Sequence, residues 1–478
     1  MIEKPGGMMA QRWGLWGGLA LFVAMWLLPA PGGMPVEAWR VAALTVLMAS
    51  WWMTQAMPLT ATALLPFLVL PLGGIMTASD TAAAYYSPIL FLVLGGAMLA
   101  LAIERVGLHR RLALGIVKRG GKTPGAMLMS FMAATAILSF IVSNTATTLI
   151  MVPIAVAVLR AAGVEDKQTA GFAGALMMGI AFAASIGGLG TLVGSPTNAI
   201  AAALIEKTTG RHIGFLDWAT YGLPLVALGI PVCWLILMRV QKVAGVEFDP
   251  ASARAGLGNI GAWSVAEKRV VPLVALVVAA WMLQPLIEPI LPKGALTDGT
   301  IAVAGALLLF VIPDGSGRPL LIWEEADRAP WGVIMMFGGG LALAAGIGES
   351  GLAAWLGEAM KPLHSVPPLA IAFVIVALVV VVTEFASNVA TASGLIPIVG
   401  ALVAGSGVDP MLIALPAAMA ASWGFMLPSG TGPNAIAWAS GHIALPKMLK
   451  AGLMLDILGV PLMVGVVWII ATIANPGG

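Results

Sequence analysis

Apolar residues gather into blocks long enough to cross a bilayer near 13–30, 38–57, 60–76, 84–104, 168–205, 217–240, 270–290, 299–313, 330–348, 409–441 and 450–473. Two further blocks, 124–161 and 366–404, exceed the length of one span. Each carries a Ser-Asn pair near its middle, Ser143-Asn144 in the first and Ser387-Asn388 in the second. Polar residues at the midpoint of a double-length apolar block predict a re-entrant helical hairpin that turns at the pair; one long kinked span is the alternative. Irregular backbone at membrane depth is tolerated only where protein buries it or a cavity receives it. Blocks 168–205 and 409–441 are also overlong. Gly187-Gly188-Leu189-Gly190 and Gly194-Ser195-Pro196 interrupt the first, and Pro428-Ser429-Gly430-Thr431-Gly432-Pro433 the second. These read as discontinuous helices, whose half-helix ends offer partial charges near the membrane midplane.

The polar interruptions repeat. At an offset of 244 residues, Ser143-Asn144 answers to Ser387-Asn388, Gly95-Gly96 to Gly339-Gly340, Gly107-Leu108 to Gly351-Leu352, Ala146-Thr147 to Ala390-Thr391 and Pro153-Ile154 to Pro397-Ile398. A second echo, Gly194-Ser195-Pro196-Thr197-Asn198 against Gly430-Thr431-Gly432-Pro433-Asn434, has an offset of 236. Duplicated polar motifs within an apolar chain are the best sequence pointer to a transporter binding site.

Composition supports the membrane reading. Of the 478 residues, 60% are hydrophobic and 10% charged, too few charges for a soluble globule. The N-terminal run Trp13–Leu28 resembles a signal peptide, but Pro29-Ala30-Pro31 fits a cleavage site poorly, and it reads as the first span. With the N-terminus in the cytoplasm and each hairpin returning to its own side, 19 of the 24 basic residues fall inside: Lys4, Arg12, Arg105, Arg110, Arg111, Lys118, Arg119, Lys122, Arg160, Lys167, Arg239, Lys242, Arg254, Lys268, Arg269, Arg318, Arg328, Lys447 and Lys450. Arg40, Lys207, Arg211, Lys293 and Lys361 fall outside. The first hairpin then enters from the cytoplasm and the second from outside, so the two copies form an inverted repeat over 84–205 and 330–441, with tips meeting near mid-membrane. Residues 105–122 read as a surface helix or as a basic loop.

The candidate chemistry is defined by neutral groups. Between Thr123 and Leu159 there is no Asp, Glu, Lys or Arg, and the second hairpin block holds only Glu384. The single cysteine, Cys233, excludes a disulfide framework, and His109, His212, His364 and His442 have no ligand spacing. No base stands beside a motif serine, which argues against an enzyme. A net charge of +2 gives no pointer to nucleic acid. Hydroxyls, side-chain amides and glycine-freed backbone are instead the groups that hold a partly dehydrated alkali cation, while exposed N–H groups receive an oxyanion. Glu384 tunes the second cation site or titrates with a proton, or else faces water or hydrogen-bonds the hairpin backbone.

Ser139-x-x-x-Ser143-Asn144-Thr145-Ala146-Thr147 and Thr383-Glu384-Phe385-Ala386-Ser387-Asn388, with the two broken-helix loops and Trp331 before Phe337-Gly338-Gly339-Gly340, resemble the divalent anion:sodium symporter family of di- and tricarboxylate and sulfate transporters. The resemblance covers nearly the whole chain. It implies an all-α polytopic membrane protein with about 11 transmembrane helices plus two re-entrant hairpins, an inverted repeat, scaffold and transport domains, elevator motion and a homodimer in the inner (plasma) membrane. The domain division follows: 1–123 and 241–365 as scaffold, 124–240 and 366–478 as the two halves of the transport domain. It implies sodium as coupling ion, without other cofactors, held by Ser139, Ser143, Asn144 and Gly194 in one site and Thr383, Ser387, Asn388 and Gly430 in the other. A C4-dicarboxylate such as succinate, malate or fumarate would meet Asn144, Thr145, Ser195, Asn388 and Thr431. Sodium-independent dicarboxylate exchange and sodium-coupled transport of another divalent anion, such as sulfate, are the alternatives. One departure from the family pattern bears on substrate: Thr145 answers to Val389, where a second Thr is usual.

Overall fold

The computed structural model of the chain describes residues 5–121, 123–163, 169–243, 251, 257, 261–359, 366–404 and 408–474. Lys4, Lys122, Lys167, Arg254, Lys361 and His364, used in the sequence reading, lie outside the described residues. Within them the chain is helical, with one isolated bridge between Pro313 and Pro319. In chain order the α-helices are α1 Pro5–Leu27, α2 Val36–Thr54, α3 Leu59–Thr62, α4 Leu65–Leu72, α5 Ala78–Ala84, α6 Pro88–Arg105, α7 Leu108–Lys118, α8 Pro124–Leu138, α9 Asn144–Ala161, α10 Phe172–Gly188 and α11 Pro196–Thr209. There follow α12 Phe215–Gln241, α13 Val265–Ile287, α14 Asp298–Val311, α15 Trp323–Ala326, α16 Trp331–Glu349, α17 Leu352–Ala359, α18 Pro368–Phe385, α19 Asn388–Ala404, α20 Ala414–Ala420, α21 Gly432–Ala439 and α22 Leu445–Ala474.

Among the described residues seven helices are long and apolar enough to cross a membrane, and several shorter apolar helices accompany them. The block 60–76 is not one straight helix. It breaks into α3 and α4, with Pro66 in the first turn of α4 and Pro71 inside it, because each proline removes a backbone donor. Within 105–122 the chain forms a helix over Leu108–Lys118 rather than a loop: α7 buries Leu108, Leu114 and Val117, and its Arg111 pairs with Glu267 at 2.6 Å. Its His109 is also buried, with Nδ1 3.2 Å from the Ile103 carbonyl, and burial holds the imidazole below its ordinary range.

Both double-length blocks fold as hairpins. α8 runs to Leu138, the chain turns through residues 139–143, and α9 returns from Asn144; α18 runs to Phe385 and α19 returns from Asn388. The overlong blocks break where Gly and Pro fall, α10 giving way to α11 and α20 to α21. Each outgoing arm packs on the first half-helix of its own copy, α8 on α10 and α18 on α20. The returning arms exchange partners: α9 packs on α21 of the other copy, and α19 packs on α11. That exchange ties the two copies into one body. Close backbone approach seats α8 on α10 within the first copy: a Cβ on Gly187 would stand 2.5 Å from the Ala136 Cα.

Around this body, α6 and α14 pack face to face, and a methyl group on Gly95 would strike the Ala302 carbonyl at 2.6 Å. The Gly338-Gly339-Gly340 run of α16 serves the same purpose, since a Cβ on Gly339 would lie 2.5 Å from the Ala63 carbonyl. One large apolar core joins the hairpins, α10, α12 and α22; a smaller one joins α2, α4 and α16. Val389 packs against both.

Candidate functional site

All four repeated motifs fold as helix N-termini. Ser143 and Ser387 cap α9 and α19, their hydroxyls accepting from Ala146 N at 3.3 Å and Ala390 N at 3.2 Å. Ser195 caps α11, accepting from Thr197 N at 3.4 Å, and Thr431 caps α21, accepting from Asn434 N at 3.2 Å. Ser and Thr are favoured at this position because the side-chain oxygen satisfies a backbone donor the helix cannot. The remaining first-turn N–H groups and the positive end of each dipole are what an anion needs.

Behind each cap lies an oxygen cluster. Ser139 ends α8, and its hydroxyl donates to the Ala184 carbonyl at 2.8 Å. Thr383 repeats this in α18, donating to the Ala421 carbonyl at 2.7 Å. Asn144 Oδ1 stands 2.7 Å from Ser139 Oγ, 3.1 Å from the Ala184 carbonyl and 3.3 Å from the Gly194 carbonyl. Four oxygens at such distances repel one another. Either the amide turns, so that the two hydrogens of its nitrogen are shared among the three, or a cation lies among them. Neutral hydroxyl, carbonyl and amide oxygens are the donor set a hard monovalent cation takes. Thr383 Oγ1 and Asn388 Oδ1 are 3.2 Å apart, so the second cluster is looser. Gly430 sits differently from Gly194: a Cβ there would lie 3.4 Å from the Glu384 carbonyl.

The loops that carry Gly194 and Gly430 are braced by Asn198 and Asn434, both fully buried. Asn198 Nδ2 donates to the Gly188 carbonyl at 2.7 Å and the Thr191 carbonyl at 2.8 Å. Asn434 Nδ2 donates to the Gly424 carbonyl at 3.4 Å and the Leu427 carbonyl at 3.0 Å, partners displaced by the same 236 residues. The motif asparagines therefore hold loops rather than face the clusters.

The copies differ at one brace. In the first, the Thr191 hydroxyl donates to the Phe140 carbonyl. Phe140 answers to Glu384 and Thr191 to Leu427, which has no hydroxyl. The Glu384 carboxylate takes over, accepting from the N–H groups of Phe425, Met426 and Leu427. A structural role for Glu384 is thereby visible.

Thr145 is exposed at the first tip and faces the second broken helix, where a Cβ on Gly432 would meet its hydroxyl at 2.5 Å. A cavity of ≈ 210 Å³ adjoins Ser143, Val193, Ser195 and Pro196, with Glu104 and Arg328 at its rim, 3.4 Å apart. Among the residues the sequence did not single out, Ala184 and Ala421 supply carbonyls. Ser185 and Ser422, directly after them, bury hydroxyls without hydrogen-bond partners. An Ala-Ala-Ser triplet shared by the two copies (183–185 and 420–422) was the available signal.

Residues 9–473 match the family described as the sodium:sulfate symporter transmembrane region. The sodium-dependent dicarboxylate transporter SdcS of Staphylococcus saprophyticus is 38% identical over 479 aligned positions, covering 98% of this chain and 92% of the relative. The protein of the same name from Staphylococcus aureus (strain bovine RF122 / ET3-1) is 39% identical over 451 positions, covering 91% and 86%. Two solved structures share the fold at low identity. The Alcanivorax borkumensis YdaH transporter has a TM-score of 0.54 at 17% identity, covering 91% of this chain and 99% of its own. Neisseria gonorrhoeae MtrF has a TM-score of 0.57 at 12% identity, covering 98% and 95%. With its family match spanning nearly every residue and its motifs folded into paired helix termini, the chain belongs to the sodium:sulfate symporter family, the divalent anion:sodium symporters.

Proposed function

We propose that this protein is a sodium-coupled symporter of C4-dicarboxylates. The observation that carries the reading is the doubled oxygen cluster, Ser139 with Asn144 and Thr383 with Asn388, each behind a hairpin N-terminus. The names of the Staphylococcus relatives, sodium-dependent dicarboxylate transporters, agree with it.

Sodium binds in two places, with Ser139, Ser143, Asn144 and Gly194 around the first ion and Thr383, Ser387, Asn388 and Gly430 around the second. Each ion neutralises carbonyl and amide dipoles that would otherwise face one another, and so sets the hairpin tip. The anion lies between the tips and takes hydrogen bonds from Asn144, Thr145, Ser195, Asn388 and Thr431. Dipoles at four helix N-termini and two cations compensate its charge without a fixed basic residue at membrane depth. Arg328, at the rim of the cavity beside Ser143 and Ser195, draws the anion toward the site.

The chain inserts with its N-terminus in the cytoplasm of a plasma membrane. Segments 124–240 and 366–478 move as a transport domain against the scaffold segments 1–123 and 241–365, in an elevator cycle, within a homodimer. Radiolabelled succinate uptake into proteoliposomes tests the reading. Uptake driven by an inward sodium gradient is expected. Uptake indifferent to sodium but dependent on internal dicarboxylate would overturn symport, and uptake of sulfate in preference to succinate would overturn the substrate class.

A further inference from the structure

A second cavity, of ≈ 380 Å³, opens between the end of α18 and the middle of α22. Phe385, Leu453, Ile457 and Val460 are among its apolar walls, and Glu384 and Asp456 are its two acids. Asp456 is 6% exposed, and neither of its carboxyl oxygens has a hydrogen-bond partner. Glu384 lies within hydrogen-bonding reach of it. The two acids are served very differently. Glu384 receives three backbone N–H groups, from Phe425, Met426 and Leu427, a set matched to a carboxylate. Asp456 receives none.

Two carboxylates side by side in an apolar wall cannot both keep their charge without a cation. Among the described residues, the elements packed against α22 bring no basic side chain to the pair. The elements packed against α22 are α12, α18, α20 and the turn Pro410–Leu412. α12 carries Asp217, Tyr221, Cys233 and Arg239, α18 carries only Glu384, and α20 and the turn carry no titratable group. Of these, Glu384 alone interacts with Asp456. On α22 itself, Lys447 is engaged by the Gln241 side-chain oxygen, two turns before Asp456, and Lys450 lies between.

A bound cation must therefore come from outside. A divalent metal ion asks for a shell of about six oxygens, and the side chains lining this cavity beyond the two acids are apolar. A proton asks for two oxygens. We propose that Asp456 is a proton-binding site, at which a carboxylic acid on α22 donates its O–H to the Glu384 carboxylate. The pair then carries one negative charge, and that charge is held by the N–H groups of the loop leading to Gly430 and Thr431. The acid thus fastens α22 to the loop that ends in the second broken-helix cap.

Infrared spectroscopy of the purified full-length protein at neutral pH tests this directly. The wild type should show the carbonyl stretch of a buried protonated carboxylic acid, and Asp456→Asn should lose it. Absence of that band from the wild type, or its persistence in Asp456→Asn, overturns the proposal. If Asp456→Asn fails to accumulate, Asp456→Leu, which suits the apolar walls, serves the same comparison. A transport arm rests on the dicarboxylate reading, while the infrared arm does not, so their failures can be told apart. Asn preserves a neutral donor to Glu384, and sodium-driven succinate uptake by Asp456→Asn should stay within about threefold of wild type. A loss of sodium dependence in that variant would show that the carboxylate binds a metal cation, and would overturn the proton assignment.

Discussion

Ser139 and Thr383, 244 positions apart, make the same pair of contacts: each hydroxyl donates to an alanine carbonyl near the end of the following half-helix, and each stands beside the Asn five residues on. The pairing closes the end of the outgoing arm of each hairpin onto the start of the returning arm. On the proposed reading it is the frame of both sodium sites. Ser139→Ala and Thr383→Ala are each expected to lower apparent sodium affinity by roughly tenfold, the equivalent of about 1.4 kcal/mol. Asn144→Ala and Asn388→Ala, which remove the side chain shared by cation and anion, should abolish succinate uptake while the protein still elutes as a folded species. Normal transport by both Asn variants would mean the site lies elsewhere.

The tip residues Thr145 and Val389 occupy equivalent positions in different surroundings. Thr145 is exposed at the first tip, whereas Val389 packs against both apolar cores. Thr145→Val should therefore weaken apparent succinate affinity, by roughly fivefold to tenfold. Val389→Thr places a hydroxyl against apolar neighbours and should cost about 1–3 kcal/mol of stability. It should leave succinate affinity within about twofold of wild type. Thermal unfolding in detergent and uptake kinetics in proteoliposomes separate the two effects. A gain in affinity from Val389→Thr would show that the second tip does face the substrate.

The hairpins, the broken helices and the symmetry of the oxygen clusters were legible because each needs a particular polar residue in an apolar run. Asn144, Asn388, Gly194 and Gly430 stand out against hydrocarbon, and the common offset pairs them before any coordinates exist. The carbonyls of Ala184 and Ala421 were invisible, since every residue has one and only the fold selects which converge. Asn198 and Asn434 were visible as motif residues, but their work as loop braces was not, because Nδ2 finds its carbonyls only once the helix breaks. Asp456 was missed for a different reason. It is a lone acid in the apolar block 450–473, a signal in itself, but it belongs to no repeat and so drew no comparison.

Glu384 replaces a hydroxyl brace with a carboxylate, and its removal should be felt in the loop. Glu384→Ala strips the acceptor from three N–H groups, one buried and two half-buried, and should lower stability by about 1.5–3 kcal/mol, read as a fall in the midpoint of thermal unfolding. Glu384→Gln keeps one acceptor oxygen and should lose less. Equal losses in the two variants would place the importance of Glu384 in its charge alone.

The acid limit of stability should depend on Asp314, in the segment between α14 and α15. The Ser316 hydroxyl and N–H, and then the Arg105 guanidinium, hold its carboxyl below the ordinary value of 3.8. A carboxyl depressed in the folded state adds stability that is fully present above its unfolded value. That stability is lost as pH falls through 3.8 toward the lower folded value. Asp314→Asn should accordingly lower the unfolding midpoint at neutral pH and make the acid fall shallower within that window. An unchanged acid limb in the variant would remove Asp314 from the account.

Gly188 and Gly424 offer the sharpest separation of the two clusters. They are equivalent, each one residue type away from crowding its own hairpin. A methyl group on Gly188 would stand 2.2 Å from Asn144 Oδ1, a distance no real contact reaches. A methyl group on Gly424 would stand 3.2 Å from the Thr383 carbonyl, which a small shift relieves. Gly188→Ala must therefore displace the Asn144 side chain from Ser139 and the Gly194 carbonyl, while Asn388 keeps its place in Gly424→Ala. If the clusters hold separate sodium ions, Gly188→Ala should lower apparent sodium affinity by roughly tenfold and reduce the cooperativity of sodium activation. Gly424→Ala should remain within about threefold of wild type with its cooperativity intact. The measurement is succinate uptake as a function of sodium concentration, with both variants reconstituted at matched protein density. Equal losses in the two variants would mean that the asymmetry in packing around Asn144 and Asn388 has no counterpart in ion binding.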